Sequence, residues 1–399
     1  MISLEEAQSL LLQHIKTKET EYANLIDAKD RILAQDIYSA IDNPPFNRSP
    51  LDGYAIMAED LVNANKNNPK VLKVIDKIYA GCVSKLILKK DEAIRIMTGA
   101  PIPMGADCIV KQEDTEEDGD LVKIFVNHNP YDNFCYKGED FKQGTKVLEK
   151  NIKITSSEIM ALASLGFNKV SVYKKPVIGV LTTGDELQNP GQKLKEGKIY
   201  NSNGYFLYSR LLELGSLPKM ENLISDDDND IAKAIKEMEK ECDVMVSTGG
   251  VSVGEKDRVK ETVQSLGYKI IFWKVDIKPG SPMFAAVKNN KLFIGLSGTP
   301  VAAATTFELM VRPLIANMLN CKNIDLRKIR ATLQDDFKKV TAKRRFLRVR
   351  LENEKENKVY INNVYQTPGQ VHTMINSNAL LEIKPNRALN KGSIVEIII

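Results

Sequence analysis

The chain has 399 residues, more than one ordinary hydrophobic core holds, so roughly two to four domains are expected. Hydrophobic residues make up 43% of it and charged residues 27%, a balance that excludes a mainly disordered chain. The net charge of +4, from 56 basic and 52 acidic residues, is too weak to predict nucleic-acid binding, although it suits a small anionic substrate if lysines and arginines are concentrated in one cleft.

The N-terminal segment and the cysteines predict a cytoplasmic protein without a membrane partner. The sequence has no basic leader, and no apolar run approaches the roughly 20 residues that span a bilayer. The five cysteines form no C-x-x-C pair, which argues against a disulfide framework and a thiolate zinc site. Because there are only three histidines, a catalytic metal is expected to be a hard cation held by carboxylates and substrate oxygens.

The N-terminal part of the chain predicts a helical region followed by a small β domain. Residues 2–16 have apolar side chains at helical spacing behind a capping serine. A proline-rich loop at 43–50 leads into a strand, with Asp52 at the junction, where an Asp-Gly turn is an equally good explanation. Short alternating strands follow from 71 to 148, and one of them ends at Thr98 before a rigid loop that suits ligand contact.

After residue 175 the pattern changes to strands alternating with amphipathic helices. Such a pattern predicts a doubly wound, mainly parallel sheet, in which ligands bind beyond the carboxyl ends of the strands. Five loops are therefore expected to converge on one crevice, and they begin near Thr182, Asp226, Thr248, Lys278 and Ser297. Residues 327–399 are rich in short strands and carry a cluster of four arginines at 344–350, which a solvated strand face explains slightly better than a binding site.

The strand-end loops contain the residue types of a phosphate-and-metal site. A buried strand at 243–247 runs into Gly249 and Gly250, whose bare backbone N–H groups suit an oxyanion, and the loop ends at Asp257. There is no P-loop, no dinucleotide fingerprint and no Ser or Cys beside a His, which argues against a common ATPase, a nicotinamide enzyme and a nucleophilic triad. Each loop alone is a weak signal, since the glycines also suit a plain turn and the aspartates at 226–228 also suit a helix cap.

Taken in order, seven motifs resemble the molybdopterin molybdenumtransferase family (MoeA and the E domain of gephyrin) over essentially the whole chain. They lie at 44–46 with 49–55, 95–103, 183–187, 201–203, 248–257, 272–280 and 295–301. The resemblance implies an enzyme that takes adenylylated molybdopterin and molybdate, cleaves the anhydride in a Mg²⁺-dependent step and releases AMP. It also implies a homodimer whose active sites lie between one subunit's α/β domain and its partner's proline-rich loop, with transient contact to other cofactor-biosynthesis proteins.

The resemblance further implies four domains in each subunit. These are a helical dimerisation region at 1–45 and 141–175, a small β domain at 46–140, an α/β molybdopterin-binding domain at 176–326 and a C-terminal β domain at 327–399.

Site residues follow from the same resemblance. Those implied in catalysis are Asp52, Thr98, Glu186, Asp227, Asp257, Lys274 and Lys278. Glu186, Asp227 and Asp257 are expected to hold Mg²⁺ or position water, and the two lysines to neutralise oxyanion charge. Those assigned to substrate binding are Thr183, Gly184, Ser247, Gly249, Gly250, Ser252, Gly254, Pro279, Ser297 and Pro300.

Several positions depart from the pattern of the family. Ser281 stands where a second lysine is common, Ser297 and Thr299 stand where Pro and Asn are usual, and the tail segments 367–369 and 372–373 also differ. Arg345 or Arg348 remains a candidate oxyanion contact in the tail. Three alternatives stay open: a non-catalytic pterin-binding scaffold, a paralogue inserting tungstate, and a hydrolase of another adenylylated compound.

Overall fold

The computed structural model describes residues 1–221, 223–251, 258–353, 355–361 and 365–399. The chain divides into two compact units, of which unit 1 holds 1–34, 151–155 and 170–399, and unit 2 holds 35–150 and 156–169. The four finer domain limits stay a prediction. Within the described residues, no helix has both the length and the apolar character needed to cross a bilayer.

The helices and strands have the following bounds. The helices are α1 Leu4–Leu12, α2 Ser156–Ser164, α3 Ser202–Glu213, α4 Asp228–Glu241, α5 Val259–Ser265, α6 Pro300–Thr306 and α7 Arg312–Met318. The strands are β1 Thr20–Asn24, β2 Ile37–Tyr38, β3 Gly53–Ile56, β4 Lys70–Ile78, β5 Glu92–Ile96, β6 Cys108–Lys111, β7 Thr115–Asp118, β8 Leu121–Ile124, β9 Lys146–Leu148, β10 Lys169–Tyr173, β11 Val177–Thr182, β12 Leu187–Gln188, β13 Ile199–Tyr200, β14 Leu217–Met220, β15 Val244–Thr248, β16 Lys269–Trp273, β17 Ile277–Lys278, β18 Phe284–Lys288, β19 Lys291–Leu296, β20 Lys328–Leu333, β21 Arg344–Asn353, β22 Asn357–Ile361, β23 Ala379–Ile383 and β24 Ile394–Ile398.

Unit 2 is built on a six-stranded sheet in the order β6-β3-β5-β4-β8-β7. Because successive side chains of a strand point to opposite faces, β3 serves two cores: Tyr54 and Ile56 pack in one cluster and Ala55 in the other. Gly53 lies so close to β6 that a Cβ there would approach the Val110 carbonyl oxygen to 1.9 Å. The strand therefore requires glycine at residue 53, immediately after Asp52.

Unit 1 contains a second six-stranded sheet, in the order β14-β11-β15-β19-β18-β16. The first four strands are parallel, which confirms the predicted α/β fold. Thr182 of β11 lies opposite Thr248 of β15, and Thr248 lies opposite Leu296 of β19, so these strands end at one level. The loops that follow them consequently begin side by side.

The edge of this sheet differs from an all-parallel arrangement. β18 is antiparallel to both β19 and β16. A two-residue turn joins β18 to β19, and its residues Asn289 and Asn290 have φ values of 49° and 62°, the left-handed conformation that such hairpins need. The strand at Phe284–Lys288 was not predicted from the sequence.

Helices cover both faces of the sheet. Leu207 and Leu211 of α3 pack on one side with the 300–318 region, while Ile231 and Ile235 of α4 pack on the other. Amphipathic helices on two faces of a mainly parallel sheet are the arrangement that the sequence pattern predicts. The strand-end loops are thereby left as the open edge of the layer.

The helical segment from Pro300 to Met318 is interrupted. A π-helical turn at Phe307–Val311 separates α6 from α7, and Pro313 lies in the first turn of α7. Proline has no N–H, so the carbonyl of Leu309 lacks its helical donor. Gln8 Nε2 donates to this carbonyl oxygen at 2.7 Å, and the buried acceptor is thus satisfied from α1.

The C-terminal part of unit 1 forms a third sheet, in the order β17-β21-β22-β20-β24-β23, with β21 also paired to β23. The short strand β17 comes from the α/β region and pairs in parallel with β21, with Ile277 opposite Arg344 and Lys278 opposite Arg345. This pairing brings the start of β21 to the turn that follows Lys278.

Candidate functional site

A cavity of about 860 Å³ lies at the strand-end loops of unit 1. All five predicted loops contribute to it, which confirms that they converge. The sequence-predicted site residues that line it are Thr183, Gly184, Glu186, Gly249, Gly250, Lys278, Pro279, Ser297 and Pro300.

Close backbone contact shapes one side of this cavity. Gly249 and Gly250 have φ values of 97° and 64°, and a Cβ at residue 249 would lie 2.4 Å from the Thr183 carbonyl oxygen. Only glycine fits that approach without strain. Thr183 lines the cavity, and its buried hydroxyl has no hydrogen-bond partner among the described residues.

Two asparagines tie the loops together and explain the motif at 201–203. Asn203 Nδ2 donates to Thr248 Oγ1 at 2.8 Å and to the Gly298 carbonyl at 2.7 Å. Asn201 Nδ2 donates to Thr182 Oγ1 at 3.0 Å, and its Oδ1 caps α3 by accepting from Gly204 N. The loops after β11, β15 and β19 are therefore held in one network.

Carboxylates and ammonium groups share the rim of the cavity. The exposed Glu186 and the half-buried Asp226 both line the cavity. Asp185 N donates to Asp226 Oδ2 at 3.2 Å and Asp226 N donates to Asp185 Oδ1 at 3.3 Å, so the two loops are cross-linked. Oxygen donors of this kind, with phosphate oxygens and water, are what Mg²⁺ takes. Within the described part of the chain, no group of three potential metal ligands is assembled.

Three predicted site residues of unit 1 are described but are not among the residues that line this cavity. Asp227 caps α4, accepting from Asn229 N at 2.8 Å and from Asp230 N at 3.3 Å. Lys274 has a φ of 67°, with Nζ 4.3 Å from the Trp273 ring centroid. Ser247 is fully buried. Their predicted roles stay predictions, and Ser252, Gly254 and Asp257 lie outside the described residues.

Unit 2 brings together the two remaining predicted residues. Thr98 donates twice to Asp52 Oδ1, from its backbone N and from its hydroxyl, each at 2.7 Å. The hydroxyl bond, followed by the backbone bond, lowers the pKa of Asp52 below its ordinary value of 3.8. The pair therefore presents a fixed, ionised carboxylate directly before β3.

The arginine cluster of β21 is not the solvated strand face that the alternation of residues favoured. Arg348 is 2% exposed, and burial lowers its pKa to about 10. Its Nε and Nη2 donate to Thr373 Oγ1 at 3.1 and 2.8 Å, and it makes no ion pair with a described carboxylate. Arg345 and Arg348 line a small cleft with Lys278 and Pro368. The interpretation as solvated is thus wrong for these two buried arginines.

Sequence reasoning missed several residues that line the cavity. Asp226 was recognised as a loop carboxylate, but nothing in the sequence distinguished it from its neighbour Asp227, which caps the helix. Lys343 and Pro368 come from the C-terminal part, and no local sequence pattern predicts that they line the cavity. Val301 N donates to the Pro368 carbonyl at 2.9 Å, a contact between distant segments that only the fold creates.

Comparisons with known proteins give the same family for every part of the chain. Three family models match: MoeA N-terminal region (domain I and II) over 2–166, probable molybdopterin binding domain over 179–317, and MoeA C-terminal region (domain IV) over 330–399. The crystal structure of a molybdopterin biosynthesis MoeA protein from Pyrococcus horikoshii superposes with a TM-score of 0.84 at 31% identity, covering 100% of this chain and 99% of that one.

Curated relatives match over a similar share of the chain. A molybdopterin molybdenumtransferase of Staphylococcus epidermidis is 36% identical over 400 residues, covering 100% of this chain and 95% of the relative. One of Bacillus subtilis is 36% identical over 404 residues, covering 100% and 94%. The chain therefore belongs to the molybdopterin molybdenumtransferase (MoeA) family.

Proposed function

We propose that this protein is a molybdopterin molybdenumtransferase, which inserts molybdenum into molybdopterin during cofactor biosynthesis. The observation that carries the proposal is the strand-end cavity, where glycine-rich loops, an unsatisfied threonine hydroxyl, two carboxylates and two lysines converge. Full-length relatives that bear this name support it.

The substrate is adenylylated molybdopterin, with molybdate as the second reactant. Cleavage of the anhydride separates AMP from the pterin phosphate as molybdenum is transferred to the dithiolene. Negative charge on the phosphate and molybdate oxygens falls near Lys278 and the backbone N–H groups at Gly249 and Gly250. The Thr183 hydroxyl supplies a further hydrogen bond and helps to fix the pose.

Mg²⁺ fits the donor set of the rim. Glu186 and Asp226 supply carboxylate oxygens from the loops after β11 and β14, and Asp257 remains a predicted third. When bound, the cation supplies charge neutralisation for the phosphoanhydride oxygens. The protein's own part is to hold these carboxylates and to place the lysines on the oxyanions.

The active site is shared in a homodimer, with Asp52 and Thr98 of one subunit completing the cavity of the other. The hydrogen-bonded, ionised Asp52 supports this role, since it is an organised carboxylate without an ion-pair partner among the described residues. Mixing Asp52→Asn protein with Lys278→Met protein should give activity well above that of either variant alone, because one of the two sites in a mixed dimer is intact. A mixture as inactive as its parents argues against sharing.

AMP release tests the proposed function. The purified protein, given adenylylated molybdopterin and Mg²⁺, should release AMP in response to molybdate, and Asp226→Asn should slow this release. AMP release at the same rate with and without molybdate would contradict the proposal. Binding of the pterin without AMP release would indicate a scaffold. Replacing molybdate by tungstate tests the alternative that the protein is a paralogue inserting tungstate. Residence in the cytoplasm stays a prediction.

A further inference from the structure

Lys343 is a second cation of the cavity and comes from a different part of the chain than Lys278. It immediately precedes β21, whose parallel pairing with β17 places Arg344 opposite Ile277. The residue is half-buried and lines the cavity. Its position is therefore set by a sheet register, not by a flexible surface loop.

The ammonium group of Lys343 lies beside Ser281. The turn after Lys278 folds back because Val275 N donates to the Ser281 carbonyl at 3.1 Å and Ser281 Oγ donates to the Val275 carbonyl at 2.8 Å. This returns Ser281 to the start of β17, where Lys343 Nζ lies 3.4 Å from its Oγ. The positive charge of Lys343 therefore reaches the turn that follows Lys278.

No carboxylate neutralises this charge within the described residues. The contacts of Lys343 Nζ are the neutral Ser281 hydroxyl, at a long 3.4 Å, and the Met1 sulfur at 4.0 Å. The adjacent Arg344, in contrast, bonds Glu5 at 2.6 Å and Glu382 at 2.8 Å. Arg344 is therefore held in structural ion pairs, whereas the positive charge of Lys343 is available to an anion that enters the cavity.

We propose that Lys343 binds a tetrahedral oxyanion in this cavity together with Lys278, supplying a second positive charge beside the turn that holds Ser281. The inference rests on the proposed function, in which two such groups enter: molybdate and the phosphate of the pterin-AMP anhydride. Both present oxygens that an ammonium group binds by charge-assisted hydrogen bonds.

The test measures binding and turnover in the full-length protein. Lys343→Met should raise the dissociation constant for molybdate or for inorganic phosphate, each measured alone by equilibrium dialysis, about tenfold, since a charge-assisted hydrogen bond at a partly exposed site is worth roughly one power of ten. Lys343→Arg should bind within a few fold of wild type. Lys339→Met, which removes an exposed lysine of the same region, is the matched control and should change nothing.

Moving the positive charge from residue 343 to residue 281 distinguishes an electrostatic role of Lys343 from a structural one. In Ser281→Lys/Lys343→Met the cation moves to the turn, and most of the lost affinity should return. If Lys343→Met binds both molybdate and phosphate like wild type, or if the double variant binds them no better than Lys343→Met while its thermal unfolding midpoint is unchanged, the inference is overturned. Should Lys343→Met not fold, Lys343→Gln takes its place in each comparison.

Kinetics then distinguish the two oxyanions. A higher half-saturating molybdate concentration in AMP release assigns Lys343 to molybdate, and a higher half-saturating pterin concentration assigns it to the phosphate. If the wild type releases no AMP in response to molybdate, the proposed function fails, but dialysis with molybdate and with phosphate still decides the role of Lys343.

Discussion

The cavity has two walls that are built in different ways. The glycine wall, formed by Thr183, Gly249 and Gly250, is made of backbone at close contact, where one added Cβ meets a carbonyl oxygen at 2.4 Å. The lysine wall, formed by Lys278, Ser281 and Lys343, is made of side chains without an ion pair among the described residues. The first wall gives the cavity its shape and the second gives it charge. Substitutions in the glycine wall should therefore disrupt the cavity, whereas a positive charge of the lysine wall can be supplied from another residue.

The largest effect is expected from Gly249→Ala. The residue has a φ of 97° and no room for a Cβ, so the change should lower the free energy of unfolding by about 2–4 kcal/mol and abolish turnover. Unfolding in urea, followed by fluorescence of Trp273, the only tryptophan, reports on unit 1. Gly267→Ala is the control, because Gly267 has a φ of 87° but nothing within 4 Å. Equal losses in both would show that backbone conformation alone, and not the close contact, shapes this wall.

Lys278→Met removes charge from the lysine wall and leaves its shape. Turnover should fall about 100-fold, since a group that stabilises oxyanion charge contributes roughly this much, while stability should change by less than about 0.5 kcal/mol. AMP release and urea unfolding measure the two quantities. The control is Lys269→Met, an exposed lysine of β16 that does not line the cavity. A loss of stability as large as that of Gly249→Ala would remove the distinction between the walls.

A smaller effect is expected in unit 2, where the hydrogen bonds from Thr98 both position the Asp52 carboxylate and stabilise its negative charge. Thr98→Ala removes the hydroxyl donor to Asp52 but keeps the backbone donor. The pKa of Asp52 should rise towards 3.8 without reaching it, as followed by NMR titration of the carboxyl carbon. A folded-state pKa below the unfolded value contributes stability above pH 3.8 that is lost as the pH falls through the folded pKa, and the variant should lose part of this contribution. An unchanged titration would show that the backbone bond alone sets the pKa.

What the sequence could predict follows the same division. Glycines, strand ends and the helix cap at 227–228 are local, so the α/β fold, the convergence of loops and the glycine wall were accessible from the pattern. Lys343 depends on a pairing between β17 and β21 across more than sixty residues, which no local period encodes. The buried state of Arg348 was missed for the same reason, because a strand pattern gives alternation but not what covers each face.

The most direct test of the central claim is the position of molybdenum in crystals of the protein soaked in molybdate, found from anomalous scattering at the molybdenum edge. A peak in the unit 1 cavity, between the glycine wall and the lysine wall and within hydrogen-bond reach of Lys278 and Lys343, is the predicted result. A well-occupied peak elsewhere, with none in this cavity, would contradict the claim that oxyanion binding takes place at these strand ends.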